Sequence, residues 1–132
     1  MRALVLDDDV SLRETLGDVL VTLGFDGVVL LDRFEQLSAD ESDVLSTGLA
    51  ILDINLGDPK TSGIDAANWL VSKHYAGLIV FLTGHAASHP LVKRAQEQGN
   101  EQDGERIRIY EKPIVFNLLV ELVKEARNGA RK

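Results

Sequence analysis

Three consecutive acids, Asp7, Asp8 and Asp9, close a short apolar run near the N-terminus, and Asp53 closes another, Leu49 to Leu52. Thr83 follows the apolar run Leu78 to Leu82, and Lys112 comes shortly after Ile107 to Tyr110. Carboxylate oxygens without His or Cys beside them are hard ligands, which suit Mg²⁺ or Mn²⁺ with positions left open for water or phosphate. Clustered carboxylates raise one another's pKa, so a divalent cation and the Lys112 ammonium are both needed to keep them ionised together. A carboxylate set among a cation, a lysine and a hydroxyl is a kit for phosphoryl transfer, and Asp53 is the central candidate for the nucleophile.

These residues can meet only if the chain brings the ends of its apolar runs to one edge. Ala3 to Leu6, Val28 to Leu31, Leu49 to Leu52, Leu78 to Leu82 and Ile107 to Tyr110 read as five buried strands. Leu12, Leu16, Val19, Leu20 and Leu23 share one helical face, and Gly24 supplies a stop. Further helices are expected from Gly63 to His74, from Pro90 to Gln98 and from Ile114 to Arg127, with Trp69 packing inside the first of these. Asp32 to Ser46 is ambiguous, because its Ser and Asp residues favour turns as much as helix. Alternation of strand and helix implies a doubly wound α/β fold, a five-stranded parallel sheet with helices on both faces. In the flavodoxin-like order 2-1-3-4-5, the first and third strands are neighbours at the switch point, where ligands bind beyond the strand ends. Neighbouring strands about 4.8 Å apart would let Asp7 or Asp8 meet Asp53 on one ion, with Lys112 reaching back from roughly 10 Å away.

Composition narrows the function. The 132 residues suit one domain, and 21 acidic against 14 basic side chains give a net charge of −7, which opposes attraction to nucleic acid phosphates. The absence of Cys excludes disulfides and thiolate metal sites. No apolar run resembles a signal peptide or spans a bilayer, so a cytoplasmic protein without membrane contact is expected.

The fragments Leu4-Val5-Leu6-Asp7-Asp8-Asp9, Ile51-Leu52-Asp53-Ile54-Asn55-Leu56, Phe81-Leu82-Thr83-Gly84-His85 and Glu111-Lys112-Pro113 occur in an order that resembles the receiver domains of two-component response regulators. The resemblance spans nearly the whole chain and implies a stand-alone, single-domain phosphoacceptor rather than an enzyme, one that assists its own phosphorylation and dephosphorylation. Asp53 would accept a phosphoryl group from a histidine kinase or phosphotransfer protein. Asp8 and Asp53 would ligate Mg²⁺ directly, Asp7 through a water, and the Asn55 carbonyl would be a further ligand. Thr83 and Lys112 would contact phosphoryl oxygens, Gly84 would leave room beside the site, and a cis bond before Pro113 would help to aim the lysine. The output surface would be the helix at Pro90 to Gln98, the fifth strand and the last helix, through which the protein would dock to a downstream partner or form a homodimer.

The chain also departs from that family. Its segment from Gly57 to Ser62 is about two residues longer than usual, and Gly99 to Arg106 reads as a polar insert. Where many receivers carry a switching aromatic, three places before the lysine, this chain has Ile109, with Tyr110 one position off and so on the opposite strand face. The expected switch region is therefore Thr83 with Ile109 and Tyr110, the signal leaving through loop order. Asp9, or its neighbour Ser11, is expected to cap the first helix rather than bind a metal. Two rival functions remain. A pseudo-receiver would bind partners without phosphorylation. A haloacid-dehalogenase-type phosphatase would use Asp7 as nucleophile, but that family needs a further acidic pair after the lysine, which only a helix follows here.

Overall fold

The computed structural model describes residues 1–56, 61–84, 107–112 and 114–130. Five strands, β1 (Arg2–Leu6), β2 (Gly27–Leu31), β3 (Leu49–Asp53), β4 (Leu78–Thr83) and β5 (Ile107–Glu111), form one parallel sheet in the order β2-β1-β3-β4-β5. Every residue of β3 and β4 is buried, as expected of central parallel strands covered on both faces. This is the doubly wound sheet that the alternating pattern predicts, with each strand one residue longer than its apolar run. The extra residues include Asp53 and Thr83, polar groups carried by the ladder to the carboxyl edge.

Among the described residues five helices cover the sheet: α1 (Val10–Thr22), α2 (Gln36–Ala39), α3 (Glu41–Leu45), α4 (Gly63–Ser72) and α5 (Phe116–Ala130). Side chains alternate along each strand, so the sheet feeds two separate cores. On one face, Leu16 and Leu20 of α1 and Leu119, Leu122 and Val123 of α5 pack on Val5, Ile51 and Val80. On the other, Leu37, Val44, Ile64 and Leu70 from the α2 to α4 layer pack on Leu6, Leu52 and Phe81. Trp69 is partly buried against this second core, with the Lys73 ammonium 5.9 Å from its ring centre.

Several helix ends differ from the expected ones. The ambiguous stretch from Asp32 to Ser46 forms two short helices meeting at Asp40, in keeping with its turn-forming composition. α4 stops two residues before His74, because His74 takes a left-handed conformation (φ 61°) that ends the helix. Gly24 does the same after α1, at φ 113°. α5 begins at Phe116 rather than Ile114, its first turn closed by the Leu119 amide on the Val115 carbonyl, and it runs on to Ala130. The helix expected at Pro90 to Gln98, the polar insert expected at Gly99 to Arg106 and the cis bond expected before Pro113 lie outside the described residues.

The start of α4 is built against the end of β3. Ser62 caps the helix and Asp65 reaches back to the Ser62 amide at 2.8 Å, a reciprocal capping box. The Gly63 amide donates to the Ile54 carbonyl at 2.9 Å, and a Cβ on Gly63 would stand 2.9 Å from the Asp53 carbonyl carbon. Only glycine fits this crossing. Gly63→Ala is therefore expected to cost about 1–3 kcal/mol, the range for overpacking a tight site, measured as a lowered urea midpoint. A wild-type midpoint would show that the backbone gives way there.

Candidate functional site

The strand register sets the site. Leu6 is level with Leu52, Asp53 with Leu82 and Thr83 with Glu111, so β1, β3, β4 and β5 deliver Asp7, Asp53, Thr83 and Lys112 to one edge. The Asp7 amide continues the ladder one step further by donating to the Leu31 carbonyl at 3.1 Å. Asp7, Asp53 and Thr83 are buried at 1%, 5% and 2% exposure, whereas Asp8 is exposed. Lys112 spans the two buried carboxylates, its Nζ lying 3.2 Å from Asp7 Oδ2 and 3.1 Å from Asp53 Oδ2. The Lys112 amide donates to the Thr83 carbonyl at 2.8 Å and fixes the stem of that side chain against the end of β4.

The remaining acceptor positions are largely taken by backbone donors. Asp53 Oδ1 accepts the Asn55 amide at 3.2 Å, and Asp7 Oδ1 accepts the Asp9 amide at 2.9 Å. Asp9 itself caps α1, its carboxylate accepting from the Leu12 amide at 3.1 Å, so its role is the structural one expected. The Arg13 guanidinium donates to the Asp7 main-chain carbonyl at 2.7 Å. Arg13 has no signature in the sequence beyond its place in the first turn of α1, from which a side chain tilts back toward the helix N-terminus.

Burial pushes the Asp53 carboxyl up from its ordinary 3.8 to about 7, and the neighbouring Asp7 charge adds to the rise. The Lys112 charge and hydrogen bond and the Asn55 amide oppose that rise without cancelling it. Burial alone would push Lys112 down, but the Asp53 and Asp7 carboxylates outweigh it and raise its pKa above the usual lysine value. Three carboxylates, Asp7, Asp8 and Asp53, gather where Lys112 supplies one ammonium, a grouping that favours an added cation.

One carboxylate oxygen from each of Asp7, Asp8 and Asp53 lies within 4.8 Å of the others. Oxygens on opposite sides of one Mg²⁺ span roughly 4 Å, so the cluster is close to the size that one such ion needs. An all-oxygen donor set with one exposed member suits a hard divalent cation that retains water. Thr83 ends β4 beside this cluster, and a Cβ on Gly84 would meet no heavy atom of the described residues within 4 Å. The Asn55 amide is placed on Asp53, and Ile109 and Tyr110 pack into opposite cores, as a one-residue offset on a strand requires.

Solved structures share this arrangement of elements. A response regulator receiver protein from Pseudoalteromonas atlantica superposes with a TM-score of 0.78 at 22% identity, over 98% of this chain and 99% of that one. A receiver protein from Sinorhizobium medicae WSM419 gives 0.76 at 21% identity, over 100% and 97%. The chain has the fold of response regulator receiver domains. A receiver domain protein from Methanospirillum hungatei JF-1 agrees, with a TM-score of 0.77 at 20% identity over 98% of this chain and 96% of that one. In sequence, the chain is 29% identical over 128 residues to nodulation protein W of Bradyrhizobium diazoefficiens. That match takes in 97% of this chain but only 52% of the relative, so the chain spans about half the length of the curated protein it matches. No protein-family model matches. Among the described residues of this receiver fold, no helix is long and apolar enough to cross a membrane.

A carboxyl raised to about 7 has a definite consequence for stability. A group with a raised folded pKa stabilises the fold while protonated, and that contribution is lost as pH rises from the unfolded value toward the folded one. In EDTA, the wild type is expected to lose stability between pH 4 and about 7 relative to Asp53→Asn, and to level off above. With saturating Mg²⁺ the difference should shrink, because cation binding strengthens as Asp53 ionises. Urea midpoints for both proteins across that range check this, and parallel curves in EDTA would contradict it.

Proposed function

We propose that this domain is a phosphoacceptor switch in which Asp53 receives a phosphoryl group from a phosphohistidine on a histidine kinase or phosphotransfer protein. The observation that carries this reading is the Asp53 carboxylate held between the Lys112 ammonium and the Asp7 and Asp8 carboxylates at the sheet's carboxyl edge. In the transfer, an Asp53 carboxylate oxygen attacks phosphorus and forms the O–P bond of an acyl phosphate. The donor P–N bond breaks, and its electron pair stays on the imidazole, which needs no oxidant or further reactant. Bound Mg²⁺, held by Asp8 and Asp53 with Asp7 acting through water, would supply positive charge for the phosphoryl oxygens. The Asn55 carbonyl is the proposed further ligand.

This chain's own groups have separate tasks in the reaction. Lys112 neutralises the entering phosphoryl charge from the β5 side and keeps Asp53 from carrying its charge alone. The Asn55 amide holds one Asp53 oxygen, which leaves the Lys112-facing oxygen as the reacting atom. Thr83 takes a phosphoryl oxygen through its hydroxyl, beside Gly84. The domain is a signalling module and not a turnover enzyme, working by a change of surface recognised by another protein.

Incubation with acetyl phosphate and Mg²⁺ is expected to give one phosphoryl adduct by intact-protein mass. The adduct should be absent in Asp53→Asn and in EDTA, and should form about 100-fold more slowly in Lys112→Met, by analogy with the loss of a charge-stabilising donor. A folded, Mg²⁺-binding wild type that gives no adduct would overturn phosphorylation and leave signalling by contact alone.

The switch in this chain cannot use an aromatic at position 109, where Ile109 packs against the core under α4. The proposed route runs from the phosphoryl group to Thr83, whose carbonyl is bonded to the Lys112 amide, and on to Gly84. A phosphate-mimic complex should therefore shift the NMR signals of Thr83 and Gly84 while the ring signals of Tyr110, packed in the opposite core, stay in place. Unchanged Thr83 signals, or a displaced Tyr110 ring, would reject this route.

A further inference from the structure

Asp7 is held through four of its polar atoms. Its amide donates to Leu31, its carbonyl accepts from Arg13, and its two carboxylate oxygens meet the Asp9 amide and the Lys112 ammonium. Three of these partners belong to features already accounted for: the sheet ladder, the α1 cap region and the lysine bridge. The fourth is different in kind. The Asp7 carbonyl falls beyond the last described rung of β1 and before α1, which starts at Val10, so neither element supplies its donor. The half-buried Arg13 side chain fills that gap at 2.7 Å, a charge-assisted bond to a neutral carbonyl. The carbonyl it holds belongs to the peptide that joins Asp7 to Asp8. The orientation of that peptide decides where the exposed Asp8 carboxylate points.

We propose that Arg13 is a positioning residue for the cation site: by clamping the Asp7–Asp8 peptide it aims the Asp8 carboxylate toward Asp53 and so sets the Mg²⁺ affinity of the pocket. This rests on the reading of the pocket as a Mg²⁺-dependent phosphoacceptor. Two consequences distinguish it from a purely structural anchor. Without the clamp the Asp7–Asp9 turn gains freedom, so the Asp9 amide, bonded to Asp7 Oδ1, becomes less protected even with no metal present. Because Arg13 touches neither Asp8 nor Asp53 in any described hydrogen bond or ion pair, its loss weakens cation binding more than it slows transfer once the cation is bound.

Arg13→Met removes the donor while keeping most of the bulk, and Arg13→Lys keeps a cation able to donate one hydrogen bond. Calorimetric titration with MgCl₂ alone is expected to show about tenfold or greater loss of affinity in Arg13→Met, the range found when an outer partner of a metal ligand is removed. Arg13→Lys should recover most of that loss. Hydrogen exchange at the Asp9 amide in EDTA should be faster in Arg13→Met. With acetyl phosphate, the Mg²⁺ concentration for half-maximal adduct formation should rise by a similar factor, with a smaller change in the limiting rate.

Wild-type Mg²⁺ affinity in folded Arg13→Met overturns the proposal. So does an Arg13→Met chain that cannot fold by circular dichroism, since Arg13 would then be holding α1 rather than the site. A wild type that binds Mg²⁺ without forming an adduct, while Arg13→Met binds it weakly, would refute the phosphoacceptor reading and keep the Arg13 assignment. No Mg²⁺ binding by the wild type overturns both.

Discussion

The carboxyl edge of this sheet depends on one ammonium group placed between two buried carboxylates. Lys112 Nζ is close to both Asp7 and Asp53, and without it two neighbouring anions with almost no contact with water would face each other across adjacent strands. Burial and the nearby Asp7 charge still push the Asp53 carboxyl up, against the pull of the ammonium. A pocket of this kind, with its cluster of carboxylate oxygens, is compatible with a divalent cation. It needs a lysine long enough to cross the width of two strand spacings and a backbone that fixes where the lysine starts, which the bond from its amide to Thr83 provides.

The rest of the fold can be understood as the frame for that contact. Parallel pairing in the order 2-1-3-4-5 makes β1 and β3 neighbours and puts β4 and β5 beyond them, so three polar ends and one lysine arrive on one side. Two cores, one under α1 and α5 and the other under α2 to α4, hold the central strands from both faces. In β1, β3 and β4 the buried rungs are apolar until Asp7, Asp53 and Thr83 at the carboxyl edge. The buried carboxylates gather at the carboxyl edge of the sheet, where doubly wound folds arrange their ligand sites.

Much of this was legible in the residues. Central parallel strands are buried on both faces and so appear as uninterrupted apolar runs, which is why β3 and β4 stand out and why a polar residue such as Asp53 at the end of one is conspicuous. The α2 to α3 region was not, because Ser38, Asp40, Ser42 and Asp43 carry no helical stripe strong enough to outvote their turn preference. Helix ends were misplaced where a backbone conformation decided them: nothing about His74 announces a left-handed residue. The Ser62 to Asp65 capping box is legible as a pattern, a serine followed three places later by an acid. Arg13 was invisible for a deeper reason. Its target is a main-chain carbonyl, which every residue has and no sequence motif marks.

The pinning of α4 to the end of β3 has a bearing on how such a domain can diversify. Asp53 is fixed by the ladder, and only a short way on the Gly63 amide is tied to Ile54 while the Ser62 and Asp65 box fastens the helix start. The two ends of the intervening connection are thus anchored independently of its length or composition. That connection can lengthen, shorten or exchange its residues over evolutionary time without dragging the Asp53 carboxylate out of place. The carboxyl edge can stay constant while the sequence beside it is rewritten.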